Sequence, residues 1–91
     1  MINNKSQLKK VWKENKESIK FKTIENHEKE GFQVGIIRDV GEIIQTNAFT
    51  IRTQKENGEM VNSWVYYNDI EIDNNIISYK NFKIKIEIVE V

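Results

Sequence analysis

Hydrophobic and polar residues follow two different periods along this chain, and the change falls near position 20. Before it, Leu8, Val11 and Trp12 recur at the spacing of one helical face, and Ser6 stands where a helix N-cap is expected. These features predict one amphipathic helix within residues 1–18, with Trp12 as its main anchor.

From Ile19 onwards, apolar residues alternate with polar ones, which is typical of strands that bury one face. Residues 32–45 are predicted to form one long strand with bulges or bends at Gly35 and Gly41, because an isolated glycine in a strand often marks a bulge. Asn57-Gly58 is the strongest hairpin signal of the chain. The most regular alternation comes last, from Phe82 to the C-terminus.

Turn signals recur at intervals of roughly 8–12 residues without a second helical pattern, which favours antiparallel strands in sequence order. The predicted fold class is α+β. One N-terminal helix packs on a strongly curved antiparallel sheet of five to six strands, either a meander or a small open barrel. The 91 residues form a single domain, with the helix in 1–18 and the β region in 19–91.

The neutral overall charge hides a polarised chain. Residues 1–22 hold seven lysines and two glutamates, a net charge of +5, so the remainder carries −5. Four lysines fall along one side of the predicted helix, and we call them the basic flank: Lys9, Lys13, Lys16 and Lys20. The flank is interpreted either as a solvated surface or as a strip that binds phosphates or an acidic partner.

Several kinds of chemistry are disfavoured. The chain has no cysteine for disulfides or thiolate catalysis, and no apolar run long enough to span a membrane. His27, the single histidine, lies in a polar loop without the nucleophile and orienting group that a catalytic triad needs. Asp69, Glu71, Asp73 and Asn75 alternate as in a calcium loop, but the glycine of its sharp turn is absent and Lys80 stands where its bidentate glutamate should be. The sequence predicts a non-enzymatic protein without metal or cofactor.

A candidate binding site comes from polar and aromatic residues on the central strands. Arginines, an asparagine and aromatic rings on neighbouring strands are suited to a flat anionic ligand or to a protein partner. The candidates are Arg38, Thr46, Asn47, Arg52, Trp64 and Tyr66. In the alternative interpretation, Trp64 and one tyrosine belong to the core and Asn47 takes a left-handed turn. Arg38 then pairs with an acid such as Asp39 or Glu42.

Two segments carry a resemblance to a known group of proteins. The segments that carry it are Arg38-Asp39-Val40-Gly41-Glu42-Ile43-Ile44-Gln45-Thr46-Asn47-Ala48-Phe49 and Ser63-Trp64-Val65-Tyr66-Tyr67. The chain resembles a pattern in small phage- and prophage-encoded proteins of Gram-positive hosts, in which a strand ending in Gln-Thr-Asn precedes an aromatic residue and a Ser-Trp strand comes next. Trp12-Lys13-Glu14 in the helix is similar as well. The resemblance implies an accessory protein of the bacterial cytoplasm that inhibits a host or anti-phage defence component. It would bind a protein surface or sequester a nucleotide-like signal.

Two further expectations concern partners. The basic flank and the aromatics together suggest a small nucleic-acid-binding β-barrel as the alternative function, although the acidic remainder of the chain opposes it. The segment Phe82–Val91 is long and β-branched and lacks proline and glycine. At a sheet edge it would pair with a second copy, which predicts a homodimer. If it pairs with an earlier strand instead, that edge disappears.

Overall fold

The computed structural model describes residues 1–26 and 33–91. Helix α1 covers Lys5–Asn15 and continues as a 3-10 turn over Lys16–Ser18, and a second 3-10 turn covers Tyr67–Asp69. The strands are β1 Ile19–Asn26, β2 Ile37–Ile44, β3 Ala48–Gln54, β4 Met60–Tyr66, β5 Ile70–Asp73, β6 Ile76–Tyr79 and β7 Ile84–Glu90. His27 and Phe32 lie outside the described residues.

Helix α1 begins two residues earlier than its sequence signal. Asn4 is the N-cap, since its side-chain oxygen accepts a hydrogen bond from the Gln7 amide at 2.9 Å. The Gln7 side chain in turn accepts a hydrogen bond from the Asn3 amide at 2.7 Å. The predicted cap at Ser6 is therefore wrong, because this reciprocal pair already satisfies the first turn. Leu8 and Trp12 are buried, as the helical spacing predicted.

The seven strands of the described residues form one antiparallel sheet in the order β4-β3-β2-β1-β7-β6-β5. Its two edge strands, β4 and β5, are joined by three residues, Tyr67–Asp69. In a flat sheet these strands would lie about 29 Å apart, six spacings of roughly 4.8 Å, whereas the connection spans at most about 14 Å. The sheet must therefore curl, and it forms a half-barrel. The predicted curved antiparallel sheet is confirmed, with seven strands rather than five to six because the four-residue strands β5 and β6 both pair.

Strand β7 lies in the interior of the sheet, between β1 and β6. Its buried residues Ile84, Ile86 and Ile88 face the core in the predicted alternation. The prediction that this segment offers a free edge to a second copy is wrong, because both of its edges are already paired. Pairing with the earlier strand β1, the alternative outcome, is what the structure has.

The core fills the concave side of the half-barrel and is covered by α1. The Phe49 ring lies at its centre, with ring centroids 5.9 Å from Trp12, 5.8 Å from Phe21 and 5.4 Å from Tyr67. The helix thus contributes an aromatic ring to the same cluster as strands β1 and β3. This packing explains why Trp12 is the main anchor of the helix.

Strand β2 bends at Gly41, as predicted. The pairing register with β3 shifts between Val40 and Ile44, and a Cβ atom at Gly41 would overlap the Thr50 side chain. The Thr50 hydroxyl accepts a hydrogen bond from the Ile43 amide at 3.1 Å and so compensates for the broken ladder. The strand starts later than predicted, at Ile37, because Gly35 turns the chain with a φ of +84°.

Candidate partner-binding surface

An exposed pair of aromatic side chains lies on the convex face of the sheet. In the β3–β4 ladder Val65 is opposite Phe49 in the core, so the alternate residues Trp64 and Tyr66 point outward. Trp64 is 37% exposed and Tyr66 49%. Their rings stack with centroids 6.3 Å apart and an interplanar angle of 20°. We call these two residues the aromatic pair.

Two polar residues continue this face along the same strands. Arg52 lies opposite Asn62, one pair further along the face from Trp64 and its partner Thr50. Asn62 reaches across β3, where its side-chain oxygen accepts a hydrogen bond from the Glu42 amide at 3.3 Å.

Among the described residues Arg52 forms no hydrogen bond or ion pair. Its guanidinium group therefore has its donors available beside an aromatic surface. We call Arg52, Asn62 and the aromatic pair together the aromatic face.

Arg38 does not join this face. It is paired with Phe21, a core residue, and therefore lies on the concave side of the sheet. Its guanidinium donates to the Gln33 side-chain oxygen at 2.5 Å, and its buried Nε has no partner among the described residues. The expected convergence of Arg38 with Trp64 is wrong, because the two residues occupy opposite faces. The alternative pairing with Asp39 is also wrong, since that carboxylate binds Lys20.

Thr46 and Asn47 form the connection between β2 and β3, at the end of the aromatic face next to Tyr66. The Thr46 carbonyl oxygen accepts a hydrogen bond from the Lys9 ammonium at 2.9 Å. The Asn47 carbonyl oxygen accepts one from the Tyr67 amide at 3.0 Å. Asn47 does not take the left-handed conformation of the alternative interpretation; in the described chain only two other asparagines do so, Asn74 and Asn75. The connection therefore binds both the helix and the 3-10 turn that follows β4, at the rim of the face.

The basic flank lies beside β2 and is separate from the aromatic face. The Lys9 ammonium is 4.5 Å from the centroid of the Tyr67 ring, in addition to its bond to Thr46. Lys20 lies on β1 and not on the helix, and forms an ion pair with Asp39. Within the described ranges, Lys13 and Lys16 form no hydrogen bond or ion pair.

Shallow cavities of about 500 Å³ and 260 Å³ separate the flank from β2. The larger one also contains the carboxylates of Glu17 and Asp39, which offset the charge of its two lysines, Lys16 and Lys20. Two of the four predicted flank lysines are thus already engaged with other parts of the protein.

Of the two tyrosines that follow Trp64 on the chain, Tyr67 is the one that belongs to the core. Burial raises the pKa of Tyr67 to about 12, and its hydroxyl has no hydrogen-bond partner among the described residues. The alternative interpretation was right for one tyrosine and wrong for Trp64, which lies on the surface. The period-two alternation of β4 separates these roles, because it places Trp64 and Tyr66 on one face and Val65 and Tyr67 on the other.

Met60 and Asn62 belong to this surface although no role was predicted for them. Met60 occupies the start of β4 on the same face as the aromatic pair, and its side chain is exposed. The signal was present in the alternation of Met60, Asn62, Trp64 and Tyr66 along one strand. The alternation alone does not show which side of β4 is exposed; the register with β3 shows that this side points outward.

Comparisons of the chain with protein-family models, with curated proteins and with solved structures found no match in any of the three. In the described ranges, no helix is sufficiently long and apolar to cross a membrane. The same residues contain no group of three or more acidic or histidine side chains placed to hold a metal ion.

Proposed function

We propose that this protein is a non-enzymatic accessory protein of phage type that binds and inhibits a host or anti-phage defence protein. The aromatic face is its contact surface. The observation that supports this proposal is the exposed stack of Trp64 and Tyr66 beside Arg52, a guanidinium without a partner among the described residues. Tryptophan, tyrosine and arginine are the residue types enriched among interface residues that dominate binding energy.

The shape of this surface favours a protein over a nucleotide-like ligand. Small-molecule sites are usually concave and enclose most of their ligand. The aromatic face lies on the convex side of the sheet, and the cavities beside β2 are lined by other residues. Arg38, which would complete a site for an anionic ligand, occupies the opposite face. A flat partner surface can cover both rings and the guanidinium at once.

The biological setting comes from the resemblance to phage-encoded proteins of Gram-positive hosts. A small protein produced during infection would act in the bacterial cytoplasm, where its targets are host or defence proteins. Occupying such a target's surface needs no catalytic group, because binding alone blocks access to it. Inhibition by contact therefore requires only affinity and a stable scaffold.

The proposal is tested by co-purification from lysate of a Gram-positive host, followed by an activity assay of the captured protein. Wild type is compared with Trp64→Ala and with Phe82→Ala, a control that removes an exposed aromatic ring (43% exposed) outside the face. Wild type and Phe82→Ala should capture and inhibit the same host protein. Trp64→Ala should lose about 2 kcal/mol of binding energy, roughly a 30-fold weaker affinity.

Far-UV circular dichroism and thermal unfolding show whether each variant remains folded. Equal inhibition by a folded Trp64→Ala variant would contradict the proposal. If the protein instead binds a nucleotide stoichiometrically and captures no host protein, it acts by sequestering a nucleotide-like signal, and the proposal of a protein target is wrong.

A further inference from the structure

Among the described residues, the outer edge of β4 carries backbone groups without hydrogen-bond partners. The ladder bonds at its two ends, from the Tyr67 amide to Asn47 and from the Lys55 amide to Glu59, show that the odd-numbered residues of this strand bond to β3. Even-numbered residues therefore point their amides and carbonyls away from β3. Within the described chain, the backbone amides and carbonyls of Met60, Asn62 and Trp64 form no hydrogen bond.

This edge also lacks the usual protection. Natural edge strands are kept from pairing with other chains by charges, prolines, bulges or short length. The opposite edge strand, β5, has four residues, and two of them are the exposed acids Glu71 and Asp73. Strand β4 has seven residues, Met60–Tyr66, and contains no charged residue, proline or glycine. Its exposed side chains are largely apolar.

We propose that a second copy of this chain pairs with the free edge of β4, as antiparallel strands related by a two-fold axis at Ser63. The whole seven-residue strand overlaps its copy only in the register centred on this residue. In that register Asn62 of one copy stands opposite Trp64 of the other. Both residues point their backbone groups across the axis, so each pair exchanges two hydrogen bonds.

Side chains fit the same register. On the convex face Met60 of one copy meets Tyr66 of the other, a contact of thioether sulfur with an aromatic ring. On the concave face Val61 meets Val65. No like charges meet between the paired strands, because β4 has none. The pairing occupies the β4 edge of both copies, and the exposed acids of β5 protect the other edge of each sheet. The assembly therefore closes as a dimer and does not extend into a fibre.

This dimer does not depend on the proposed inhibitory function, since its hydrogen bonds come from the backbone of β4, although Asn62 and Tyr66 of the aromatic face lie at its seam. It would nevertheless place two aromatic faces side by side on one continuous convex surface. A partner with two-fold symmetry, or with a long flat surface, would then contact both copies. Dimer formation and partner binding can fail separately and are measured separately.

The test uses light scattering at tens of micromolar protein, with a substitution matched at one position. Asn62→Pro removes an outward amide without removing a ladder bond to β3, whereas Asn62→Ala loses the side-chain bond to Glu42 but keeps the amide. Wild type and Asn62→Ala should have twice the monomer mass of 10.8 kDa, and Asn62→Pro should have the monomer mass. A monomeric wild type, or a folded Asn62→Pro variant that remains dimeric, would overturn the proposal.

Amide hydrogen exchange tests the same pairing in the wild-type protein, so its result does not depend on whether Asn62→Pro folds. The amides of Asn62 and Trp64 should become protected as the concentration rises into the dimeric range. Those of Ser63 and Val65, which bond to β3, should be protected at every concentration. Rapid exchange of Asn62 and Trp64 in a sample of dimeric mass would place the interface elsewhere and contradict this pairing.

Discussion

The aromatic face and the basic flank both look like binding surfaces in the sequence, but their side chains are engaged to different degrees. On the flank, the Lys9 ammonium binds the Thr46 carbonyl and the Tyr67 ring, and Lys20 binds Asp39. On the face, the exposed rings of Trp64 and Tyr66 stack on each other, and among the described residues Arg52 has no hydrogen bond or ion pair. The flank therefore serves the protein's own structure in part, whereas the face has its groups available.

This difference shows that a run of like charges is weak evidence for a partner until its own contacts are known. A lysine that already donates to a carbonyl must break that bond before it can bind a phosphate. An exposed aromatic pair has no comparable bond to lose, and its burial by a partner removes apolar surface from water. The two surfaces therefore differ more clearly in how many of their side chains are free to bind a partner than in their amino-acid composition.

The largest expected effect separates surface aromatics from core aromatics. Phe49→Ala should lower the free energy of unfolding by about 3–5 kcal/mol, because it leaves a cavity among Trp12, Phe21 and Tyr67. Trp64→Ala should lower it by less than about 1 kcal/mol, since the ring lies at the surface. Urea denaturation measures both values. A loss with Trp64→Ala as large as that with Phe49→Ala would make the face a structural element.

The next effect separates the engaged lysine from an unengaged neighbour. Lys9→Met keeps the apolar stem but removes the bond to Thr46 and the contact with Tyr67, so we expect a loss of about 1–2 kcal/mol of stability. Lys13→Met, on the same flank, should change stability by less than about 0.5 kcal/mol. Thermal unfolding of the two variants checks this. Equal stability of both would mean that the Lys9 contacts contribute nothing measurable.

Alkaline pH should weaken the fold through its buried tyrosines. Burial raises the pKa of Tyr67 and of Tyr79 from 10.0 to about 12, with the carboxylate of Asp69 adding to the shift of Tyr79. The stabilising effect is fully present below pH 10.0, where both phenols are neutral in either state. It is lost as the pH rises towards 12, because the unfolded chain ionises first.

Tyr67→Phe isolates one of these two phenols. The variant should be about as stable as the wild type at neutral pH, because the hydroxyl that it removes has no partner among the described residues. Its stability should fall less steeply between pH 10 and 12. Denaturation at a series of pH values measures the slope, and an unchanged slope would show that Tyr67 does not titrate as a buried group.

The smallest expected effect is nucleic-acid binding. Phosphate contacts from lysines supply most of the non-specific affinity for DNA and RNA, and two of the four flank lysines are already engaged. We therefore expect no complex tighter than weak micromolar at physiological salt. Fluorescence anisotropy with labelled single- and double-stranded oligonucleotides checks this. Salt-sensitive binding at nanomolar protein would restore the flank as a functional surface and favour the nucleic-acid-binding alternative.

The sequence predicted local alternation well and predicted long-range pairing poorly. The period of two placed Trp64 and Tyr66 on one side of their strand and Tyr67 on the other, because the pleat of a strand fixes this geometry. The period of two could not predict whether Arg38 and Trp64 lie on the same face of the sheet, because the face of Arg38 depends on its pairing with Phe21 on another strand. The interior position of β7 could not be predicted for the same reason. Its partners β1 and β6 are determined by the pairing of all strands in the sheet and not by the sequence of β7 alone.

The basic flank was predicted partly wrongly for a local reason. Its four lysines share one side of a helix only if the helical period extends to Lys20, but α1 ends at Asn15 and a 3-10 turn follows. The Asn15 side chain accepts a hydrogen bond from the Glu17 amide, so it caps the turn that replaces the helix. Asparagine favours such side-chain bonds over helix continuation, and this signal was available in the sequence.

The measurement that tests the central claim most directly compares the face with the flank against one purified partner. Titration calorimetry is performed with wild type, with Trp64→Ala, and with the double variant Lys13→Ala/Lys16→Ala, which removes the two lysines that have no hydrogen bond or ion pair within the described ranges. Trp64→Ala should weaken binding by about 30-fold or more, and the lysine variant by less than about threefold. The reverse order, with the lysine variant losing affinity while Trp64→Ala binds as tightly as wild type, would contradict the account.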